Sequence, residues 1–258
     1  MSVARVSRIT LYPVKSLDGI DVSTATVTDA GALLHDRQYA IFDANGKIIN
    51  GKNTPSIHSL RATFDLEKIE ITLSQNGKSA ESFHWNDDRQ RLNAYLSDFF
   101  SQPVRVEENL NGEFLDDPEQ SKFTLVSNNS LCAIADHFSI SIDECRRRFR
   151  ANIEVDGVPA FWEESLVRPQ KMRVPFKIAN VLAAGVKPCP RCVVPSRNPD
   201  TGEAMHLFQK EFAALRKTTL PAWSPLETYG NFYQLAVSCI FLPRQKGSRI
   251  SRNDEVSV

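Results

Sequence analysis

The chain has 258 residues, 41% hydrophobic and 24% charged, enough for one large globular domain or two modest ones. Its 31 basic and 31 acidic residues cancel, which removes the broad attraction of a nucleic-acid binder and leaves any bound anion to a local cluster. Five cysteines without a regular framework argue against a secreted disulfide scaffold, and with no leader-type segment and no apolar run near the roughly 18 residues of a bilayer span, the expectation is a reducing cytoplasm and no membrane partner.

From Val3 to about Trp85, short apolar stretches between turn signals read as β structure. Asn45-Gly46 separates Tyr39-Ala-Ile-Phe42 from Lys47-Ile-Ile49, and Asn76-Gly77 follows the alternation of Phe64, Leu66, Ile69 and Ile71. Both dipeptides favour type I′ hairpin turns, whose two central residues need φ > 0. Leu92, Tyr95, Leu96, Phe99 and Phe100 share one helical face, ended by Gln102-Pro103; the stripe reads as core facing the N-terminal sheet. The polar, acidic stretch from Glu107 to Pro118 marks a domain division, giving residues 1–110 and 111–258.

Phe123-Thr-Leu-Val126 reads as a strand leading to a helix through about Phe138, capped by Ser127, Asn128 or Asn129. Ser141-x-x-Glu144 has capping-box spacing and starts a second helix that runs into Arg146-Arg-Arg-Phe-Arg-Ala-Asn-Ile153. Met205, Phe208, Phe212 and Leu215 fall at helical spacing, and Phe232 to Leu242 reads as a strand.

Cys189-Pro-Arg-Cys192 is the loudest local signal, and it has three chemical readings. A reversible dithiol would sit at a helix N-terminus, which Pro195 and Pro199 disfavour. A structural zinc would need His206 with Cys239 or His137 to complete four ligands, and no second tight pair is present. The third reading makes one thiolate a soft ligand to a redox metal, with Arg191 stabilising it and gripping an anionic cofactor. The pair alone does not choose among them.

Tyr12-Pro-Val-Lys-Ser-Leu17 offers Lys15 and Ser16 to an anion; Arg37 can grip phosphate by two bonds, though Asp36 is an equally good partner for it. The Arg146–Arg150 cluster reads as a solvated face or a last turn complementing the helix dipole, and with zero net charge it does not suggest nucleic acid. Arg150 and Asn152 alternate on an extended stretch and so point to one side. The histidines are isolated, and no nucleophile elbow or phosphate-binding glycine loop is present.

Taken together, Tyr12-Pro-Val-Lys-Ser16, Asp36-Arg37, Phe149-Arg-Ala-Asn-Ile153 and Cys189-Pro-Arg-Cys-x-x-Pro-x-x-x-Pro-Asp-Thr-Gly202 resemble the MOSC family in order and spacing, over nearly the whole chain. That is the family of the molybdenum cofactor sulfurase C-terminal domain and the mitochondrial amidoxime reducing component. The resemblance implies a β-rich α+β fold, in which a smaller MOSC N-terminal β-barrel-like domain precedes a MOSC β-barrel domain. It also implies a molybdenum cofactor, Mo-molybdopterin, between them. Cys192 falls on the position of the molybdenum ligand, and Lys15, Ser16, Arg37, Arg150, Asn152 and Arg191 on positions that hold the phosphate and pterin. Ser127, Asn129 and Ser130 match a cofactor-lining loop, and Cys189 is a neighbour rather than a ligand.

For amidoxime-reducing relatives the resemblance implies an oxidoreductase acting on a small N-hydroxylated substrate, an amidoxime or a hydroxylamine-type base analogue. No iron–sulfur cysteine cluster follows the motif, so electrons are expected from a separate ferredoxin- or flavodoxin-like protein. The alternative is a molybdenum cofactor carrier or a persulfide sulfur-transfer module; 258 residues leave no room for a pyridoxal phosphate domain. Two departures stand out: Asn198 where relatives often have aspartate, and Phe232 where amidoxime-reducing enzymes have tyrosine.

Overall fold

The computed structural model describes residues 3–75, 77–111, 114–169, 172–224 and 226–258. The first half contains β1 (Arg5–Leu11), β2 (Ile20–Val22), β3 (Thr24–Thr26), β4 (Tyr39–Asp43), β5 (Leu60–Asp65), β6 (Glu70–Gln75), β7 (Glu81–His84), helix α1 (Arg89–Phe100) and β8 (Val104–Glu108). In the second half come β9 (Phe123–Ser127), α2 (Asn128–Phe138), α3 (Ile142–Phe149), β10 (Ile153–Asp156), β11 (Val174–Ile178) and β12 (Val181–Pro190). The chain finishes with α4 (Phe208–Thr219), β13 (Gln234–Phe241), β14 (Arg249–Ser251) and β15 (Val256–Ser257).

The fold is β-rich α+β. Its largest sheet has the order β15-β11-β12-β13-β9-β10-β1-β2, antiparallel except where β9 and β10 run parallel with α2 and α3 between them. Among the described residues its ladders do not close into a barrel: β15 and β2 remain the outer strands. Smaller sheets pair β4 with β8, β3 with β14, and β5 with β6 and β7. All eight positions of β13 are buried, the run expected of a central strand covered on both faces.

One core joins Val6 and Ile9 of β1 with Leu125, Ile153, Phe176 and Val237, so the first strand belongs to the sheet of the second half. A second core lies between α1 and the strands of the first half, with Leu92 and Leu96 against Ile41, Leu73 and Phe83. Tyr39 stacks on Trp85 in it, ring centroids 4.1 Å apart. The third packs Ile134 of α2 and Phe149 of α3 against Phe208 and Phe212 of α4, the helical face read from the sequence.

The turns differ from expectation. At Asn45-Gly46 only Gly46 has positive φ (76°), so the turn is not type I′. Asp43 Oδ1 accepts from Asn45 N and Lys47 N, both at 2.9 Å, and that side chain holds a turn in which a single glycine takes the left-handed position. The stretch from Phe64 to Ile71 is not one strand. Asp65 Oδ1 accepts from Glu67 N and Lys68 N, Ile69 takes φ 58°, and β5 turns back into β6. Asn76 lies outside the described residues.

Both helix caps form. Ser127 Oγ accepts from Ser130 N at 3.2 Å, and Ser141 Oγ accepts from Glu144 N at 3.0 Å. The Glu144 carboxylate does not return to the cap but holds Arg148. No helix among the described residues is long and apolar enough to cross a membrane.

Candidate functional site

The three cores meet at a cavity of about 380 Å³, contacted by Leu60 from the first-half core, Phe123 from the sheet core and Phe149 from the helical core. Eight lysine and arginine side chains line it against three aspartates. Of the residues singled out in the sequence, Lys15, Ser16, Arg37, Arg150, Asn152, Arg191, Cys189 and Cys192 all reach it.

Backbone geometry explains how distant segments converge. After β1, Lys15 N donates to Tyr39 O and Tyr39 N to Pro13 O, which lays the Tyr12–Leu17 loop along β4. Ser16, Arg37 and Arg150 each take the left-handed conformation, at φ 73°, 49° and 53°. Such backbone is uncommon outside glycine and gathers at functional sites, where surrounding contacts hold it. Arg150 is thus the C-cap of α3 and not part of an extended stretch, contrary to the alternation read from the sequence. It still reaches the cavity, because the left-handed residue ends the helix there.

Tyr12 is the floor against which two guanidiniums rest, with Arg150 4.1 Å and Arg37 4.5 Å from its ring centroid. Burial pushes the Tyr12 hydroxyl up to about 12 despite both cations, so it stays protonated. Arg37 is paired: Nη1 donates to Asp36 at 2.6 and 2.8 Å, and although burial opposes its charge, Asp36 outweighs it and raises the Arg37 pKa. Among the described residues Arg150 has no carboxylate within ion-pair distance, and burial together with Arg37 lowers its pKa. Its Nη2 is buried without a hydrogen-bond partner. Arg191 gives Nε to Leu235 O at 3.0 Å and Nη1 to Phe149 O at 2.9 Å, and its Nη2 is likewise buried and unpartnered. A buried donor without an acceptor costs about 1–3 kcal/mol, and Arg150 and Arg191, which each carry one, both line the cavity.

Cys192 follows the end of β12, and its Sγ accepts from Val194 N at 3.4 Å. Only a short 3-10 turn, Val194–Ser196, comes next, so the long helix a thioredoxin-like dithiol would use is not there. The scattered zinc set does not assemble either: among the described residues no group of three or more His, Cys, Asp or Glu side chains could hold a metal. Cys189 shares the cavity with Cys192.

Asn152 lines the cavity, but its amide is engaged by the protein. Oδ1 accepts from Thr124 N and Nδ2 donates to Thr10 O, so it ties β1 to β9 behind the site. Ser127, Asn129 and Ser130 lie away from the cavity lining. Ser127 caps α2, Ser130 Oγ donates to Glu163 at 2.9 Å, and Asn129 Nδ2 donates to Val158 O.

The arginine cluster is not a solvated face. Arg146 pairs with Glu154, and Arg147 with Asp200; Arg148, 3% exposed, donates to Pro195 O and Arg197 O and so fixes the loop after Cys192 to α3. Asp200 also pairs with Arg61 of β5. Asn198 Oδ1 accepts from Asp200 N and Thr201 N, so asparagine makes the turn at this position.

Several lining residues carried no local signal. His58, next to Gly51, is pushed down to about 4 by burial and by Arg150, Arg197 and Arg147, and its Nε2 is buried and unpartnered. Lys52 and Lys187 also line the cavity. The Tyr233 hydroxyl, one residue beyond Phe232, is buried without a partner, and burial raises its pKa against the pull of Arg191.

The profile of the MOSC N-terminal beta barrel domain matches residues 3–114 and that of the MOSC domain residues 103–231. The chain belongs to the MOSC family. Molybdenum cofactor sulfurase from Homo sapiens is 23% identical over 80% of this MOSC chain, which spans only 28% of that protein's length. Mitochondrial amidoxime reducing component 2 from Bos taurus is 22% identical over 78% of this chain and 68% of its own. The solved YUAD protein from Bacillus subtilis aligns over 98% of this chain and 94% of its own, at 12% identity and a TM-score of 0.41.

Proposed function

We propose that this MOSC chain is a molybdenum-cofactor-binding oxidoreductase that reduces small N-hydroxylated compounds, such as amidoximes and hydroxylamine-type base analogues. The observation that carries the reading is one cavity lined by the thiol of Cys192 together with Arg150 and Arg191, each of which has a buried unpartnered guanidinium nitrogen. The names of the amidoxime reducing relatives support it. When bound, a pterin-dithiolene molybdenum group supplies two-electron removal of oxygen, chemistry that no side chain here offers.

The donor set fits such a group. Arg150 and Arg191 would hold its phosphate through their guanidiniums, in a largely buried setting where charge-assisted bonds are strong. Lys15, Ser16 and Arg37 would add contacts from the Tyr12–Leu17 loop and its neighbour. Cys192 would be the thiolate ligand of the molybdenum, with the Val194 N–H stabilising negative charge on its sulfur. Asn152 would act indirectly, by holding β1 and β9 in register behind the cavity. The net change converts N–OH, two electrons and two protons to N–H and water. The electrons would come from a separate ferredoxin- or flavodoxin-like protein in a reducing cytoplasm.

Protein purified from a host that makes the cofactor, supplied with a reduced viologen and an amidoxime, tests the reading. One amidine formed per two electrons consumed, in proportion to bound molybdenum, is the expected result. Molybdenum-loaded protein that leaves the amidoxime intact overturns it in favour of a carrier or persulfide module. The shared cavity of Cys189 and Cys192 and the sulfurase relatives favour that second reading.

A further inference from the structure

His58 enters the cavity lining from a short 3-10 turn, Pro55–Ser59. Its ring lies against Gly51, where an added Cβ would stand 2.7 Å from His58 Nε2 and 3.3 Å from Val194 Cγ2, so the glycine makes room for an imidazole beside the loop after Cys192. Nε2 is buried and finds no hydrogen-bond partner among the described residues. Buried ring nitrogens of histidines that serve packing alone are normally bonded.

The charges acting on this ring have one sign. Arg147 and Arg150 reach it from α3 and its C-cap, and Arg197 from the loop after Cys192. Each of the three also has a buried nitrogen without a partner: Nε of Arg147, Nη2 of Arg150 and Nε of Arg197. Among the described residues the one carboxylate paired with any of them is Asp200, on Arg147. Other charges of the lining are committed elsewhere. Lys52, next to Gly51, faces Asp116, which Lys15 also holds; Asp117 meets Lys187, and Asp18 meets Arg61. A proton on His58 would add a fourth positive charge to the arginines. Burial, then Arg150, Arg197 and Arg147, accordingly hold its pKa down to about 4 against the opposing pull of the Gly51 backbone.

We infer that His58 is the group with which the cavity takes up a proton as it binds an anion: neutral while the site is empty, it becomes an imidazolium, and a further donor, once an oxyanion lies against Arg150. The inference rests on the reading of the cavity as an anion site, and adds one residue to the single phosphate position given to Arg150 and Arg191. The balance is simple: empty site, anion and one proton give the occupied site with a charged His58. An opposite charge within about 4–6 Å moves a pKa by about 1–3, so a doubly charged oxyanion against Arg150 should lift His58 by about two. Coupling is reciprocal, and an anion that tightens the hold on a proton is itself held more tightly by the protonated site. Anion affinity therefore rises as pH falls.

Calorimetry of the full chain, purified without cofactor, with sulfate tests this, because sulfate keeps two negative charges from pH 5 to 8 and takes no proton itself. The wild type is expected to bind sulfate about tenfold more tightly at pH 5 than at pH 7, with close to one proton taken up per sulfate at pH 5, measured in two buffers of different ionisation enthalpy. His58→Gln, which leaves the other histidines in place, should bind it within about twofold at both pH values and take up almost no proton. In the wild type, the His58 ring resonances followed by NMR should titrate about two pH units higher at saturating sulfate than without it. A midpoint that sulfate does not move, or the same pH dependence in His58→Gln as in the wild type, overturns the role of His58. If Arg150→Met still abolishes sulfate binding in that case, only His58 falls. If the wild type binds no sulfate, or binds it independently of Arg150, the reading of the cavity as an anion site falls with it.

Discussion

Arg150→Met is expected to stabilise the ligand-free protein while removing its response to anions. Arg150 is the left-handed C-cap of α3, its guanidinium has no carboxylate partner among the described residues, and its Nη2 is buried without an acceptor. Leaving such a donor unsatisfied costs about 1–3 kcal/mol, and the contact with Tyr12 returns roughly 0.5–2 kcal/mol. Methionine keeps the apolar stem and brings no change in backbone preference at this φ. The balance favours the variant by about 1 kcal/mol, a rise in Tm of ~2–4 °C for a chain of this size. Sulfate at a hundred times its Kd should stabilise the wild type by about 2.7 kcal/mol, and the variant by far less. Differential scanning calorimetry with and without sulfate reads both effects. A variant that melts well below the wild type yet keeps the full anion-induced rise would refute the reasoning, because Arg150 would then be a structural residue.

Three further outcomes follow from other parts of the fold. Burial pushes Glu163 up to about 8 from a usual value of 4.5, so between these values the native state holds a proton that the unfolded chain has released. Stability from this group therefore falls as pH rises through that window, by about 1.4 kcal/mol per pH unit, and Glu163→Gln should gain on the wild type in urea titrations from pH 5 to 8; parallel profiles would contradict this. Gly202 has φ +77°, and an added Cβ would stand 2.4 Å from Pro55 O. Gly202→Ala should cost at least about 1–2 kcal/mol in chemical denaturation for its backbone alone, and an unchanged midpoint would mean that the turn does not press on Pro55. Asp200→Asn, which weakens exposed pairs to Arg147 and Arg61, should change global stability by less than about 1 kcal/mol, whereas a larger loss would make this contact a main tie between β5 and the loop after Cys192.

The elements that depend on local pattern were legible in the sequence. The apolar face of α1, the caps at Ser127 and Ser141, and the strand from Gln234 rest on spacing that the structure keeps. The turn within Phe64–Ile71 was not legible, because it depends on the Asp65 side chain folding onto its own backbone instead of on a glycine. Among the site residues, Lys15, Arg37, Arg150, Arg191 and Cys192 come together from separate segments, and no single motif implied that cavity. Ser127 and Ser130 turn instead towards Glu163, a contact with a residue more than 30 positions away that no spacing reveals. His58 and Lys52 entered the site without any pattern, since the chain around them is folded against Arg150 and the mouth only by tertiary packing.

The central claim is that Cys192 is the thiolate ligand of a molybdenum group held by Arg150 and Arg191. The most direct measurement is molybdenum and pterin content of the wild type, Cys192→Ala and Cys189→Ala, each purified from a host that makes the cofactor. Near-stoichiometric molybdenum in the wild type and Cys189→Ala, with loss in Cys192→Ala, is the predicted result. Molybdenum retained by Cys192→Ala, or a wild type that carries none, would contradict it.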